Sequence, residues 1–196
     1  MKIFYSPLAP LKTRITQRFG ENKACVPING GKVIACDGHN PPAGYRSVYG
    51  DKGHLGVDFA LLMGRGQEVR CAQTGKVIHI DTNERTGLDV RIETKMKEGK
   101  FIHIYEHLLG YQHHVGDEVT VGQVIGWGDN TGWSSGDHLH FQLLKWINGK
   151  YVSVDPEDYT DFTTDAKDIL WIINKLKYIK EMVAQLLDTY GDKLRK

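Results

Sequence analysis

Cysteine and proline are both scarce in this chain, 3 and 6 among 196 residues. Cys25, Cys36 and Cys71 form no Cys-x2-Cys pair, which excludes the common thiolate zinc modules, and an odd number cannot all be bridged. Cys71, within Val69-Arg70-Cys71-Ala72, reads as a small buried residue; Cys25 and Cys36 flank a Gly-rich stretch and read as free thiols. No stretch reaches the roughly 18 consecutive apolar residues of a membrane span, so no transmembrane segment is expected. The opening Met1-Lys2-Ile3-Phe4-Tyr5-Ser6-Pro7 lacks the long apolar core of a secretory signal, and the expectation is synthesis in the cytoplasm. Neither sign of charge dominates: a net charge of +1 and a pI near 7.8 argue against a generally basic nucleic-acid binder.

Glycine and histidine are plentiful, 22 and 9 residues. Glycine in excess of proline favours a turn-rich β protein. The pattern predicts a mainly β fold, an antiparallel sheet or sandwich, with strands at 13–19, 56–61, 68–72, 75–80, 88–93, 100–106, 119–121, 123–127 and 138–146. Val115 through Gly126 reads as a tight hairpin-like element with glycines at its corners. Residues 21–53 have no strand or helix pattern, and a loop that long is more often a binding wall or lid than a spacer.

After Asp161 the composition changes. Ile169, Ile172, Leu176, Ile179, Val183, Leu186 and Tyr190 are spaced alternately by three and four, a helical seam that Thr163 or Thr164 would cap. The expected organisation is a β domain over 1–162 and an amphipathic helix over 163–196, packed on that domain or used for self-association through residues 165–190.

Two short histidine patterns stand out within the β region. They are Gly53-His54-Leu55-Gly56-Val57-Asp58-Phe59 and Gly136-Asp137-His138-Leu139-His140-Phe141. At this composition chance supplies roughly 0.4 His-x-His and 0.7 His-x3-Asp pairs, so neither spacing is informative alone. Context raises them: each is preceded by glycine, followed by an aromatic residue and set in alternating apolar sequence. On a strand, His138, His140 and Gln142 share one face while Leu139, Phe141 and Leu143 share the other. His54 and Asp58, four apart with a bend available at Gly56, also fall on one side. A zinc site built from two His and a carboxylate leaves the fourth position to a water of pKa near 7. His138 could be a further ligand or act on that water. Hydrolysis also needs a base and an oxyanion donor, and Phe101 through Leu108 offers His103, Tyr105 and His107, which alternation places on one face.

His54-x3-Asp58, Tyr105-Glu106-His107-Leu108, Val115-Gly116-Asp117 through Gly126, Thr131-Gly132 and His138-Leu139-His140-Phe141 occur in an order that resembles the lysostaphin/LytM-type zinc endopeptidases. The resemblance spans about residues 13–158, closing at Val154-Asp155-Pro156. It implies hydrolysis of peptide cross-links in bacterial peptidoglycan. It also implies one Zn2+ per chain held by His54, Asp58 and His140, with His107 and His138 as the catalytic pair. Tyr45 or Tyr49 would assist, and Asn22 lies where latent relatives place a blocking ligand. The alternative is a non-catalytic relative that binds the wall or a partner hydrolase as an activator or scaffold.

Without a secretory signal, a wall-acting enzyme is expected to arrive by a phage-lysin or virion-associated route. His39, His79, His113 and His114 read as surface or loop residues. His103 reads as either a hydrogen-bond partner of the site or a satisfied sheet histidine. Lys95-Met96-Lys97 reads as a solvated turn rather than a biotin-type attachment hairpin.

Overall fold

The computed structural model describes residues 2–8, 14–20, 53–160, 162, 180 and 182–183. The chain separates into two compact units, Met1–Phe162 and Thr163–Lys196. The first unit is mainly β. Its strands are β1 (Arg14–Gln17), β2 (Val57–Ala60), β3 (Glu68–Arg70), β4 (Gly75–Asn83), β5 (Gly87–Met96), β6 (Gly99–Tyr111), β7 (Glu118–Val119), β8 (Val124–Gly128), β9 (His138–Ile147) and β10 (Lys150–Val154). All named pairings are antiparallel. The main path runs β1-β2-β9-β6-β5-β4-β7, with β10 beside β9 and β8 bridging β3 and β6.

The alternating pattern of the long strands explains their placement. Leu139, Phe141 and Leu143 of β9 are fully buried, as are Phe101 and Tyr105 of β6 and Val57 and Phe59 of β2. Burying each of these large apolar side chains contributes about 1.5–3 kcal/mol. Tyr105 also accepts the Ala72 backbone N–H through its hydroxyl at 2.9 Å, so its one polar atom is satisfied inside the core. The opposite face carries Asp58 of β2, His138, His140 and Gln142 of β9, and Ile102, Ile104 and Glu106 of β6.

Three expectations need correction. The 115–126 stretch is not a hairpin of its own: β7 pairs with β4, and β8 pairs with β3 and β6. β10 was not anticipated, although Asn148-Gly149 carried its signal. Both residues have positive φ, 49° and 82°, the left-handed pair that a two-residue hairpin turn requires. The third correction is His107, whose side chain leaves the face that His103 and Tyr105 occupy.

The helix described within the first unit is α1 (Pro156–Tyr159), with Asp155 capping its start by accepting the Glu157 N–H at 2.9 Å. The helix expected over 165–190 lies outside the described residues, apart from Lys180, Met182 and Val183, which are helical. Cys25, Cys36, His39, Tyr45, Tyr49 and Asn22 also lie outside them. Among the described residues, no helix is long and apolar enough to cross a membrane. Cys71 is buried as expected, and burial pushes its thiol up to about 12. The Lys95-Met96-Lys97 stretch closes the β5–β6 turn, with Met96 paired to Gly99.

His103 fits neither of its two expected roles. It is fully buried on β6, and neither ring nitrogen finds a hydrogen-bond partner among the described residues. Phe4 meets its ring edge-on at 4.5 Å and Phe141 lies 6.0 Å away. Burial drives its pKa down to about 3. Because the folded-state value lies below the ordinary 6.5, the neutral ring is fully compatible with folding above pH 6.5. That stability is lost as pH falls from 6.5 towards 3. His103→Leu is therefore expected to hold or raise Tm at neutral pH and to move the acid-unfolding midpoint downward. Circular dichroism across a pH series checks this; an unchanged acid midpoint would remove His103 from the account.

Candidate metal centre

β2 and β9 pair so that Asp58 lies directly opposite His140, and Ala60 opposite His138. Directly opposed residues project from the same face of a sheet, so Asp58, His140 and His138 converge there. His54 precedes β2 across the bend at Leu55-Gly56. Its Nδ1 donates to the Arg18 carbonyl at 3.1 Å, which leaves the Nε2 lone pair aimed at Asp58 and His140.

Three donor atoms meet. His54 Nε2 lies 2.9 Å from His140 Nδ1 and 3.2 Å from Asp58 Oδ1, and His140 Nδ1 lies 2.8 Å from the same oxygen. Burial by itself would push the Asp58 carboxyl up. Hydrogen bonds and charge from His140 and His54 override it and hold the group well below the usual carboxylate range. Burial likewise opposes charge on His140, but Glu106 and Asp58 together raise its pKa.

This donor set fits zinc. Asp58 Oδ1 and His54 Nε2 each require a donor, and the single proton His140 Nδ1 can carry does not serve both well. A shared cation satisfies all three lone pairs. Ligands of a tetrahedral zinc stand about 3.3–3.5 Å apart, so the observed cluster needs about half an ångström of spreading. His54, Asp58 and His140 are the one such group found among the described residues.

Two more imidazoles stand beside the cluster. His138 Nε2 is 3.7 Å from Asp58 Oδ1, and the His107 and His138 rings are 4.6 Å apart. Strict alternation would bury His107 with Tyr105. Instead the strand bulges: β5 advances two residues from Leu88 to Val90 while β6 advances three from Leu108 to Tyr105. His107 takes φ 64° within that bulge and its ring comes out on the metal face. Its N–H donates to Thr86 O at 3.0 Å and its carbonyl accepts from Asp129 N at 2.9 Å, which locks the reversal.

Both rings are also oriented from behind. His107 Nδ1 donates to Thr131 O at 2.7 Å, and His138 Nδ1 donates to Gly136 O at 2.8 Å with Ser134 Oγ at 2.9 Å. Each therefore has its Nδ1 engaged and its Nε2 left without a hydrogen-bond partner among the described residues. Burial, then the neighbouring His138 and His140, bring the His107 pKa down to about 4.

Sequence reasoning missed the Arg18, Thr131 and Gly136 carbonyls, for which no side-chain signal exists, and Ser134, for which the Ser-x3-His spacing was available. Of the remaining histidines, His114 is exposed, His113 Nε2 donates to Val124 O at 3.0 Å, and His79 approaches Asp89 at 3.9 Å.

An antiparallel β domain with a two-histidine, one-carboxylate cluster at a strand pair is a scaffold that could hold a metal ion. The chain belongs to peptidase family M23, whose family model matches residues 52–156. The fold is LytM-like. The lysostaphin catalytic domain of Staphylococcus simulans is 26% identical, with 75% of this chain and 91% of that one covered and a TM-score of 0.53. LytU is 30% identical, with 76% and 85% covered and a TM-score of 0.53. A zinc-containing peptidase from Vibrio cholerae is 25% identical over 78% of this chain and 39% of that one, TM-score 0.53. No curated protein sequence matches the chain.

Proposed function

We propose that this chain is a zinc-dependent endopeptidase that hydrolyses peptide cross-links of bacterial peptidoglycan. The observation that carries the reading is the convergence of His54 Nε2, Asp58 Oδ1 and His140 Nδ1 beside two imidazoles with free Nε2 atoms. The likeness to lysostaphin supports the wall substrate.

Zinc bound by His54, Asp58 and His140 would polarise the scissile carbonyl and lower the pKa of a bound water to about 7. The chain's own residues manage the protons. A neutral imidazole with Nδ1–H held by a backbone carbonyl accepts a proton at Nε2 as water adds to the carbonyl carbon. Returning that proton to the amide nitrogen lets the C–N bond break and the amine leave. The other imidazole, when protonated, donates from Nε2 to the developing oxyanion. His107 and His138 each offer a free Nε2 to accept the proton, and burial, which keeps His107 neutral, makes that ring the poorer donor to the oxyanion.

His107→Ala and His138→Ala are each expected to lower kcat by roughly 10²–10⁴-fold while leaving bound zinc unchanged. Metal analysis beside clearing kinetics on purified peptidoglycan checks both. A chelator should abolish clearing and added zinc restore it; clearing that persists without metal would overturn the proposal. The non-catalytic reading is disfavoured because all three ligands and both flanking histidines are present. The phage-type route of delivery and assembly through residues 165–190 rest on sequence pattern alone.

A further inference from the structure

The two flanking histidines share one support. The segment 129–137 leaves β8 and returns to β9, closed at its base by the Asp129–His138 bridge. Asp129 N donates to His107 O at 2.9 Å and Asp129 O accepts from His138 N at 3.2 Å, so one residue's backbone ties both histidines together. The same segment supplies the Thr131 and Gly136 carbonyls that orient their rings.

An external group grips both ends of this segment. Arg65 pairs through Nε with the Asp129 carboxylate, and its Nη2 lies 3.5 Å from Asp137 Oδ1. Asp129 is buried at 5% exposure, while the Arg65 side chain is largely exposed. One guanidinium thus lies within ion-pair distance of the carboxylates of the first and last residues of the segment. Arg65 is itself presented on a turn, between Gly64 at φ 76° and Gly66 at φ 87°. That turn is laced to the same region: Gly66 N donates to Gly128 O and Gly128 N to Gln67 O, both at 2.8 Å.

We propose that Arg65 is a positioning residue that fixes His107 and His138 together, by clamping both ends of the 129–137 segment through Asp129 and Asp137. It does not touch the metal ligands, so its removal separates histidine placement from metal binding. The kinetic arm of the test rests on the peptidase reading; the spectroscopic arm does not.

The experiment compares zinc-loaded wild-type protein with Arg65→Ala, Arg65→Lys and Arg65→Ala/Asp129→Asn. Zinc content, Tm, kcat and KM on peptidoglycan, and 15N imidazole spectra that report tautomers are measured for each. Arg65→Ala is expected to lower kcat about ten- to a hundredfold through misplacement, with zinc content retained and KM within about twofold. The His107 and His138 tautomer signals should shift or broaden while those of His54 and His140 stay. Arg65→Lys should fall in between.

Unchanged kcat with unchanged imidazole spectra would overturn the proposal. So would loss of zinc in proportion to activity, which would make Arg65 a general structural residue. Full restoration by Asp129→Asn would show that the stranded buried carboxylate, and not the lost clamp, caused the effect. If zinc-loaded wild type fails to cut peptidoglycan, the peptidase reading falls, and the imidazole spectra still decide the role of Arg65.

Discussion

Replacing His140 with alanine is expected to abolish both stoichiometric zinc and peptidoglycan clearing, the latter by a factor on the order of 10³ or more. His140 Nδ1 is the atom through which the cluster is joined: it lies 2.8 Å from Asp58 Oδ1 and 2.9 Å from His54 Nε2. Without it two donors remain, and a catalytic zinc requires three protein ligands. Losing the metal removes several kcal/mol of transition-state stabilisation, and each 1.4 kcal/mol is about tenfold in rate. Zinc bound to the folded state alone also raises stability, by about 2.7 kcal/mol at a hundredfold excess over Kd. The zinc-dependent rise in Tm of the wild type should therefore vanish in the variant, a readout independent of substrate. Clearing retained by metal-free His140→Ala would sink the zinc-hydrolase reading.

Gly56→Ala should be nearly as damaging, for a steric reason. A Cβ at Gly56 would stand 2.5 Å from the Phe141 carbonyl oxygen and 2.8 Å from His140 Nε2. Phe141 O belongs to β9 where that strand is held between β2 and β6, so the backbone cannot retreat. The strain must instead move the bend that carries His54, or tilt the His140 ring away from Asp58. Overpacking of this kind costs about 1–3 kcal/mol, several degrees of Tm in a chain of this size. Zinc affinity should fall at least about tenfold, because one coordinate shared by two ligands is displaced. Gly110→Ala is the control, since a Cβ there meets only Trp127 Cε3 at an ordinary 3.7 Å. Equal zinc affinity and Tm in Gly56→Ala and wild type would refute the steric account.

The strands were legible because a half-buried strand writes its geometry into residue type at period two. Leu139, Phe141 and Leu143 against His138, His140 and Gln142 announced both the strand and the direction of its polar face, and the structure buries the first three completely. The His54 and Asp58 pairing was legible for a similar local reason, a spacing of four across a glycine bend. His107 was not. Its sequence neighbourhood alternates cleanly, and nothing in Ile102-His103-Ile104-Tyr105-Glu106-His107 marks the bulge. That bulge comes from the register of β6 between β5 and β9, a non-local pairing.

Alternation is a property of the local chain, so the available side chains and the strand faces they take could be read along it. The turn of His107 out to the metal face exists only in the folded sheet. The same folding brings backbone carbonyls of Arg18, Thr131 and Gly136 to select the free nitrogen of His54, His107 and His138, and Arg65 to grip the segment behind two of them. A carbonyl is present at every residue and so leaves no mark in the sequence. An ion pair across more than sixty positions of chain exists only once the loops have been folded together.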